Sequence, residues 1–315
     1  MSPAPRASRA RLEVGLALFA VYVIWGSTYF AIRVALEGIP PFLMAGVRFV
    51  VAGGVLYAML RAGGAPAPTR EEWRSASWTG ALLLIGGNGL VCLAEQSVSS
   101  SLAAIVVATM PLWAVLFGSF AWGGQVAGER PSRLELAGVV VGFVGVAILN
   151  AGGGLEAHGV RAVLLLLAPV CWSLGSLASR RVRLPAGPMA SAAQMLAGGI
   201  GMLVIGAVRG ERLAALPGAR PLLALLYLIV FGSLVAFRAY GFLLRTTRPA
   251  TATSYAYVNP VVAVLLGVAF AGEEIHPAAL VGAVIILGSL ALLSVGKKRK
   301  TVAVAAPIEA AAESG

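Results

Sequence analysis

Polar residues in this sequence gather into short clusters, and long apolar stretches run between them without alternation. The stretches fall near Val14–Val34, Pro41–Leu60, Trp78–Val98, Leu102–Trp122 and Leu134–Ala151. Five more fall near Ala162–Ala178, Pro188–Val208, Pro221–Leu243, Ala252–Ala271 and Pro277–Val295. A hydrocarbon core about 30 Å thick is crossed by about 20 residues of α-helix. Lipid satisfies no backbone hydrogen bonds, so unbroken apolar runs read as helices, whereas barrel strands would alternate apolar and polar positions. The pattern predicts an all-α integral membrane protein with ten transmembrane helices. Arg6, Arg9 and Arg11 precede the first run as they would in a signal peptide. That run is too long for a signal core and no small-residue cleavage site follows, so it is read as the first span.

Composition strengthens this reading. The 315 residues are 59% hydrophobic and 12% charged, against about 45–50% and about 25% in soluble domains. The net charge of +11 would suggest nucleic acid on a soluble domain. Here the basic residues flank apolar runs instead of forming a patch, so no nucleic-acid partner is expected. Seventeen Lys and Arg fall on the side of the N-terminus and of Arg61, Arg130, Arg180 and Lys297–Lys300. Five (Arg33, Arg161, Arg209, Arg212, Arg220) fall on the other, and Arg48 and Arg238 lie within spans. The positive-inside rule then puts both termini, residues 1–13 and 297–315, in the cytoplasm. The loop bearing Arg209, Arg212 and Arg220 runs against the rule. The chain has no Asp, two His in loops (His158, His276), and two Cys inside apolar runs (Cys92, Cys171). No disulfide, metal site or cofactor is expected.

The chain also resembles itself. Residues 101–122 align with 250–271, Pro111 falling on Pro260, and residues 129–149 align with 273–293, Glu129 falling on Glu273. Trp25 corresponds to Trp172, and Arg48 in span two to Gln194 in span seven. Two five-span units result, at 14–151 and 160–295. Five is odd, so the second unit enters the membrane inverted, a plan that places a substrate site near the midplane between the units.

Three segments carry a resemblance to a known family: YVIWGSTYFAIRVALEGIPPFLMAGVRFVVAGG (22–54), GNGLVCLAEQSVSSSLAAIVVATMPL (87–112) and RPATATSYAYVNPVVAVLLG (248–267). The chain resembles the EamA family of the drug/metabolite transporter superfamily, and in the last two segments especially its YedA-type exporters. The resemblance implies ten helices, cytoplasmic termini, a central cavity for a small-molecule solute, and export more than import. One departure is the longer loop GGQVAGER before the usual turn (123–130), to which no function is attached.

Candidate cavity residues follow from polar groups at depth. Arg48 lies about seven residues into its span, roughly 10 Å below the interface, and an intramembrane charge is a functional hypothesis by default. Glu95 is its expected partner. The pair either binds a zwitterionic or anionic solute, or locks two helices together; Glu95 is also the candidate for proton coupling. Asn88 shares a helix face with Glu95, read either as cavity or as packing. Trp25, Ser27 and Tyr29 line span one, with Trp172 the counterpart of Trp25 and Gln194 that of Arg48. Span nine carries Thr251, Tyr255, Tyr257 and Asn259, and Thr251, Tyr255 and Asn259 recur every four residues as a polar stripe that should face inward. Pro111 and Pro260 each free a backbone carbonyl for a ligand or a kink.

No phosphate-loop motif is present, so the expected function is secondary transport by alternating access, exporting small metabolites or amino-acid-like or drug-like solutes, with proton coupling as one option. The alternatives are a facilitative uniporter or channel-like carrier and, remotely, a membrane-embedded enzyme, which the lack of clustered His, Asp or Cys disfavours. The lipid bilayer is an obligate partner, and homodimerisation stays open.

Overall fold

The computed structural model of the protein describes residues 4–120, 132–151, 159–247, 255–278 and 280–292. Among the described residues all regular structure is helical. Helix α1 spans Ala4–Ala35 and α2 spans Pro41–Ala62. Helix α3 runs Arg70–Ala94, and α4 is made of Ser100–Val107 and Met110–Phe120. Then follow α5 (Arg133–Ala151), α6 (Val160–Ser179) and α7 (Pro188–Val208). Helix α8 is continuous through Ala219–Tyr227, Leu228–Val235 and Ala236–Thr246. The last two are α9 (Tyr255–Ala271) and α10 (Leu280–Leu292). Six stretches, in α1, α2, α3, α4, α7 and α8, are long and apolar enough to cross a membrane; α6, α9 and α10 hold shorter apolar helices.

Local chemistry explains two departures from the expected spans. Helix α3 starts at Arg70, eight residues before the expected Trp78, and ends at Ala94. Thr69 caps it: the Glu72 amide donates to the Thr69 hydroxyl at 3.3 Å and the Thr69 amide donates to the Glu72 carboxylate at 2.7 Å. This is a capping box, which the hydropathy pattern passes over because its residues are charged. Helix α4 breaks at Ala108–Thr109, just before Pro111. A proline removes one amide donor and crowds the preceding turn, and here Ser173 of α6 donates to the Met110 carbonyl at 2.8 Å.

The helices pack across the two halves of the chain. Helix α2 lies along α7; α1 packs on α8 and α9, while α6 packs on α3 and α4. Gly53 allows the α2–α7 approach, since a Cβ there would sit 2.9 Å from the Leu196 amide nitrogen. The main core joins Ile32, Phe49, Leu84, Met202 and Leu228 from α1, α2, α3, α7 and α8. Phe19, Val140, Val204, Leu265 and Val284 are exposed on the outside of the bundle, as a lipid-facing surface requires. Arg238 is also exposed, on the bundle exterior and away from the core. Two helices wind one stretch as π-helix, Ala81–Gly89 in α3 and Leu228–Val235 in α8. Such stretches cluster at functional sites because they displace side chains and free carbonyls.

Candidate functional site

The π-helical stretch of α8 organises one group of polar residues. The Trp25 indole donates to the Gly232 carbonyl at 3.2 Å. The next residue, Ser233, accepts from Arg48 Nε at 3.0 Å. Gly232 leaves room for both neighbours: a Cβ there would lie 3.1 Å from Thr28 Cγ2 and 3.2 Å from Arg48 Nη2. Arg48 is 3% exposed, and its guanidinium sits 4.7 Å from the centre of the Phe49 ring.

Glu95 caps the end of α3 and is 2% exposed. The expected direct pair with Arg48 is not formed in this conformation. Neither Glu95 oxygen has a hydrogen-bond partner, nor does Arg48 Nη1 or Asn259 Oδ1, although all are buried. Ser233, not Glu95, is the group that Arg48 reaches, because the π-helical stretch carries that hydroxyl to the α2 face. Arg33, Arg48 and Glu273 all lie within electrostatic reach of Glu95, and Tyr29 feels its charge.

Asn259 is on α9, beside Gly26 of α1. One turn before it, Tyr255 closes an aromatic box around Trp25, with ring centres 4.8 Å apart, and Tyr240 and Phe237 supply the other walls at 5.2 and 5.5 Å. Ser27 turns instead to α8, its hydroxyl 2.7 Å from that of Tyr227. Pro260 is buried within α9. The Tyr257 side chain and Thr251 lie outside the described residues, as do Glu129 and the GGQVAGER loop.

A second group surrounds the π-helical stretch of α3. Trp172 lies against Gly87, where a Cβ would meet its ring at 2.7 Å. Asn88 follows, half-buried. Gln194 spends its amide on Thr79 at 2.9 Å and Ser179 at 3.1 Å, tying α7 to α3 and α6. It is thus a satisfied side chain, unlike its counterpart Arg48.

The turn after Glu95 is fastened from several directions. Glu273, in the loop after α9, accepts from the backbone amides of Ser100 and Ser101 at 2.8 and 3.0 Å and from both hydroxyls. Burial pushes the Glu273 carboxyl up, but these four donors outweigh it and hold the group below the usual carboxylate range. Arg33 Nε lies 3.6 Å from Glu273, and Arg33 Nη1 donates to the Val98 carbonyl at 3.4 Å. Beyond Arg33 is a cavity of about 340 Å³ lined by Phe30, Glu37, Arg220 and Phe270, with Arg220 and Glu37 paired at 3.4 Å.

Sequence reading missed Ser233 and Tyr240. The FGS triplet inside an apolar run was the available signal for Ser233; nothing in the sequence marks Tyr240. Among the described residues no three His, Cys, Asp or Glu side chains form a metal site.

Comparison with known proteins gives this arrangement its context. The EamA-like transporter family matches the chain twice, over residues 13–151 and 160–295. The chain is 44% identical to the uncharacterized inner membrane transporter YedA of Escherichia coli K12, over 89% of this chain and 90% of that one. It is 25% identical to a probable terminal-alkyne amino-acid exporter of Streptantibioticus cattleyicolor, over 90% of this chain and 95% of that one. A protein of known crystal structure superposes with a TM-score of 0.63 at 22% identity, covering 90% of this chain and 97% of the other; that likeness concerns the fold alone. With the family matched across both halves and apolar helices long enough to span a bilayer, the chain belongs to the EamA-like transporter family and is a multi-pass membrane transporter, not an enzyme.

Proposed function

We propose that the protein is a secondary transporter of the bacterial inner membrane that exports small amino-acid-like solutes by alternating access. It crosses the bilayer ten times as two inverted five-helix units, residues 14–151 and 160–295, with both termini in the cytoplasm. The crossed packing supports the inversion: α1 meets α8 and α9 where α6 meets α3 and α4. The likeness to YedA, an inner membrane transporter, and to a probable amino-acid exporter supports the membrane and the solute class.

The observation that carries the solute site is the set of buried polar atoms without partners: Arg48 Nη1, both Glu95 oxygens and Asn259 Oδ1. Buried polar groups in folded proteins are nearly always hydrogen-bonded, and leaving one unsatisfied costs about 1–3 kcal/mol, more for a charge. A solute carrying both a carboxylate and an ammonium relieves that cost: the carboxylate pairs with Arg48, the ammonium with Glu95, and Asn259 accepts a further N–H. Trp25, Tyr240 and Tyr255 supply an apolar wall toward the cytoplasmic end. Glu95 also serves as the proton site that couples export to the proton gradient.

Flux of radiolabelled α-amino acids from proteoliposomes tests this. Saturable flux is expected, driven by an imposed proton gradient, with amino acids blocked at the amine or the carboxylate failing to compete. Equal competition by the blocked compounds would remove the zwitterion reading. Saturable flux indifferent to the gradient would make the protein a uniporter.

A further inference from the structure

The site just described leaves Arg33 unused, although it is the residue that joins the site to the outer end of the bundle. Its side chain is 39% exposed, against 3% for that of Glu273. Both its contacts are long, 3.6 Å to Glu273 and 3.4 Å to the Val98 carbonyl. Glu273 does not depend on it, since Ser100 and Ser101 already supply four donors. Together these contacts tie α1, the turn between α3 and α4, and the loop after α9, drawing on both halves of the chain. Glu95 opens that same turn, which closes through the Ser97 and Val98 amides donating to the Ala94 carbonyl at 3.0 and 2.9 Å.

We infer that Arg33 is a coupling residue that exchanges between Glu273 and Glu95, so that deprotonation of Glu95 releases the outer latch. The inference rests on Glu95 being the proton site. The titratable and charged groups within electrostatic reach of Glu95 are Tyr29 and Arg33 from α1, Arg48 from α2, Cys92 from α3 and Glu273 from the loop after α9. Helices α4, α6 and α10 face this turn with apolar side chains such as Ile105, Leu165 and Ile286.

An ionised carboxylate buried without a donor or cation is costly, so loss of the Glu95 proton calls for a positive partner. Arg48 is held by Ser233 and packed on Phe49. Arg33 is the half-exposed guanidinium with weak bonds to give up. The proton leaves to the cytoplasmic side while the outer end is closed, Arg33 moves from one carboxylate to the other as that end opens, and Glu273 keeps its four donors, so the next proton is taken up from outside. Reprotonation of Glu95 sends Arg33 back and closes the end.

Among the described residues, the corresponding positions at the other crossing hold no such switch. Arg33 lies eight residues after Trp25 and Arg180 eight after Trp172; Glu95 lies eight after Gly87 and Tyr240 eight after Gly232. Arg180 acts electrostatically on Tyr240, a phenol whose ordinary pKa of about 10 leaves it neutral at working pH. Among the described residues, proton sensitivity therefore belongs to the outer end.

The test is labelling from outside, with a membrane-impermeant maleimide, of an Asn259→Cys reporter in full-length protein carrying Cys92→Ala and Cys171→Ala. Rates are normalised to a Leu216→Cys control at a position 94% exposed, which removes the pH dependence of the thiol itself. Raising the pH from about 5 to about 8 is expected to speed reporter labelling by about tenfold. Arg33→Gln should label at the fast rate at both pH values, and Glu95→Gln at the slow rate at both. Arg33→Lys should restore the parent profile. Glu273→Gln, which weakens the latch from its other side, should raise the rate at low pH. Arg33→Gln labelling as slowly as the parent would overturn the inference, and so would a pH dependence that survives in Glu95→Gln. Amino-acid flux measured on the Cys92→Ala, Cys171→Ala protein with Asn259 intact keeps the two readings apart: labelling as expected in the reporter protein with no amino-acid flux in the Asn259 protein retires the solute assignment and leaves Arg33 standing.

Discussion

The two halves of the molecule repeat one arrangement and fill it with different chemistry. In each, a tryptophan rests against a glycine within a π-helical stretch of the opposite half, Trp25 on Gly232 and Trp172 on Gly87. The positions around them then diverge. Arg48 keeps a buried nitrogen without a partner, whereas Gln194 satisfies its amide on Thr79 and Ser179. Glu95, with two orphan oxygens, stands where the other half has Tyr240 packed beside Trp25. The shared parts build two similar helix crossings. The differences concentrate charge that lacks partners at one of them, and charge that lacks partners is what a passing ion or zwitterion can use.

The contrast can be broken most forcefully at Arg48 and Gln194. Arg48→Gln is expected to cut amino-acid flux by about 100-fold, since losing the charge pair with the solute carboxylate costs about 2–5 kcal/mol of binding, while the protein still inserts in the membrane. Gln194→Ala should instead lower thermal stability by about 1–2 kcal/mol through two lost hydrogen bonds, with flux changed less than about threefold. Comparable flux losses in the two variants would erase the distinction between the halves.

A smaller effect is expected at the outer latch. Because the folded protein holds the Glu273 carboxyl below its ordinary value, its contribution to stability is fully present above the unfolded carboxyl pKa of about 4.3. That contribution is lost as pH falls through the depressed folded value. Glu273→Gln should therefore melt below the parent at neutral pH, and the gap should close on acidification below about pH 4. A gap that widens on acidification would contradict the assigned bonds to Ser100 and Ser101.

Much of this was legible in the sequence because membrane helices advertise themselves. Uninterrupted apolar runs placed α2 at its observed start of Pro41 and α7 at both observed ends, Pro188 and Val208. The aligned prolines and tryptophans pointed to the internal correspondence, and the family resemblance agrees with the double family match. Arg48, Glu95 and Asn259 were visible as polar residues in apolar surroundings. Partner choice was not visible. Which hydroxyl Arg48 meets depends on a π-helical stretch in α8, and such a stretch adds one residue to a turn without any change in hydropathy. The charged first turn of α3 escaped for the opposite reason: its capping box lies among Arg70, Glu71, Glu72 and Arg74, which a search for apolar segments discards. Pro169, inside α6, was passed over because the run around it stays apolar.

The central claim is that Arg48, Glu95 and Asn259 line a solute site reached alternately from the two faces of the membrane. It is tested most directly by solute protection of the single cysteine Asn259→Cys in the Cys92→Ala, Cys171→Ala protein, with a thiol reagent applied separately to each face. The account predicts labelling from both faces, slowed by about tenfold or more when a transported amino acid is present at saturation. Labelling from one face alone, or at a rate the amino acid does not alter, would contradict it.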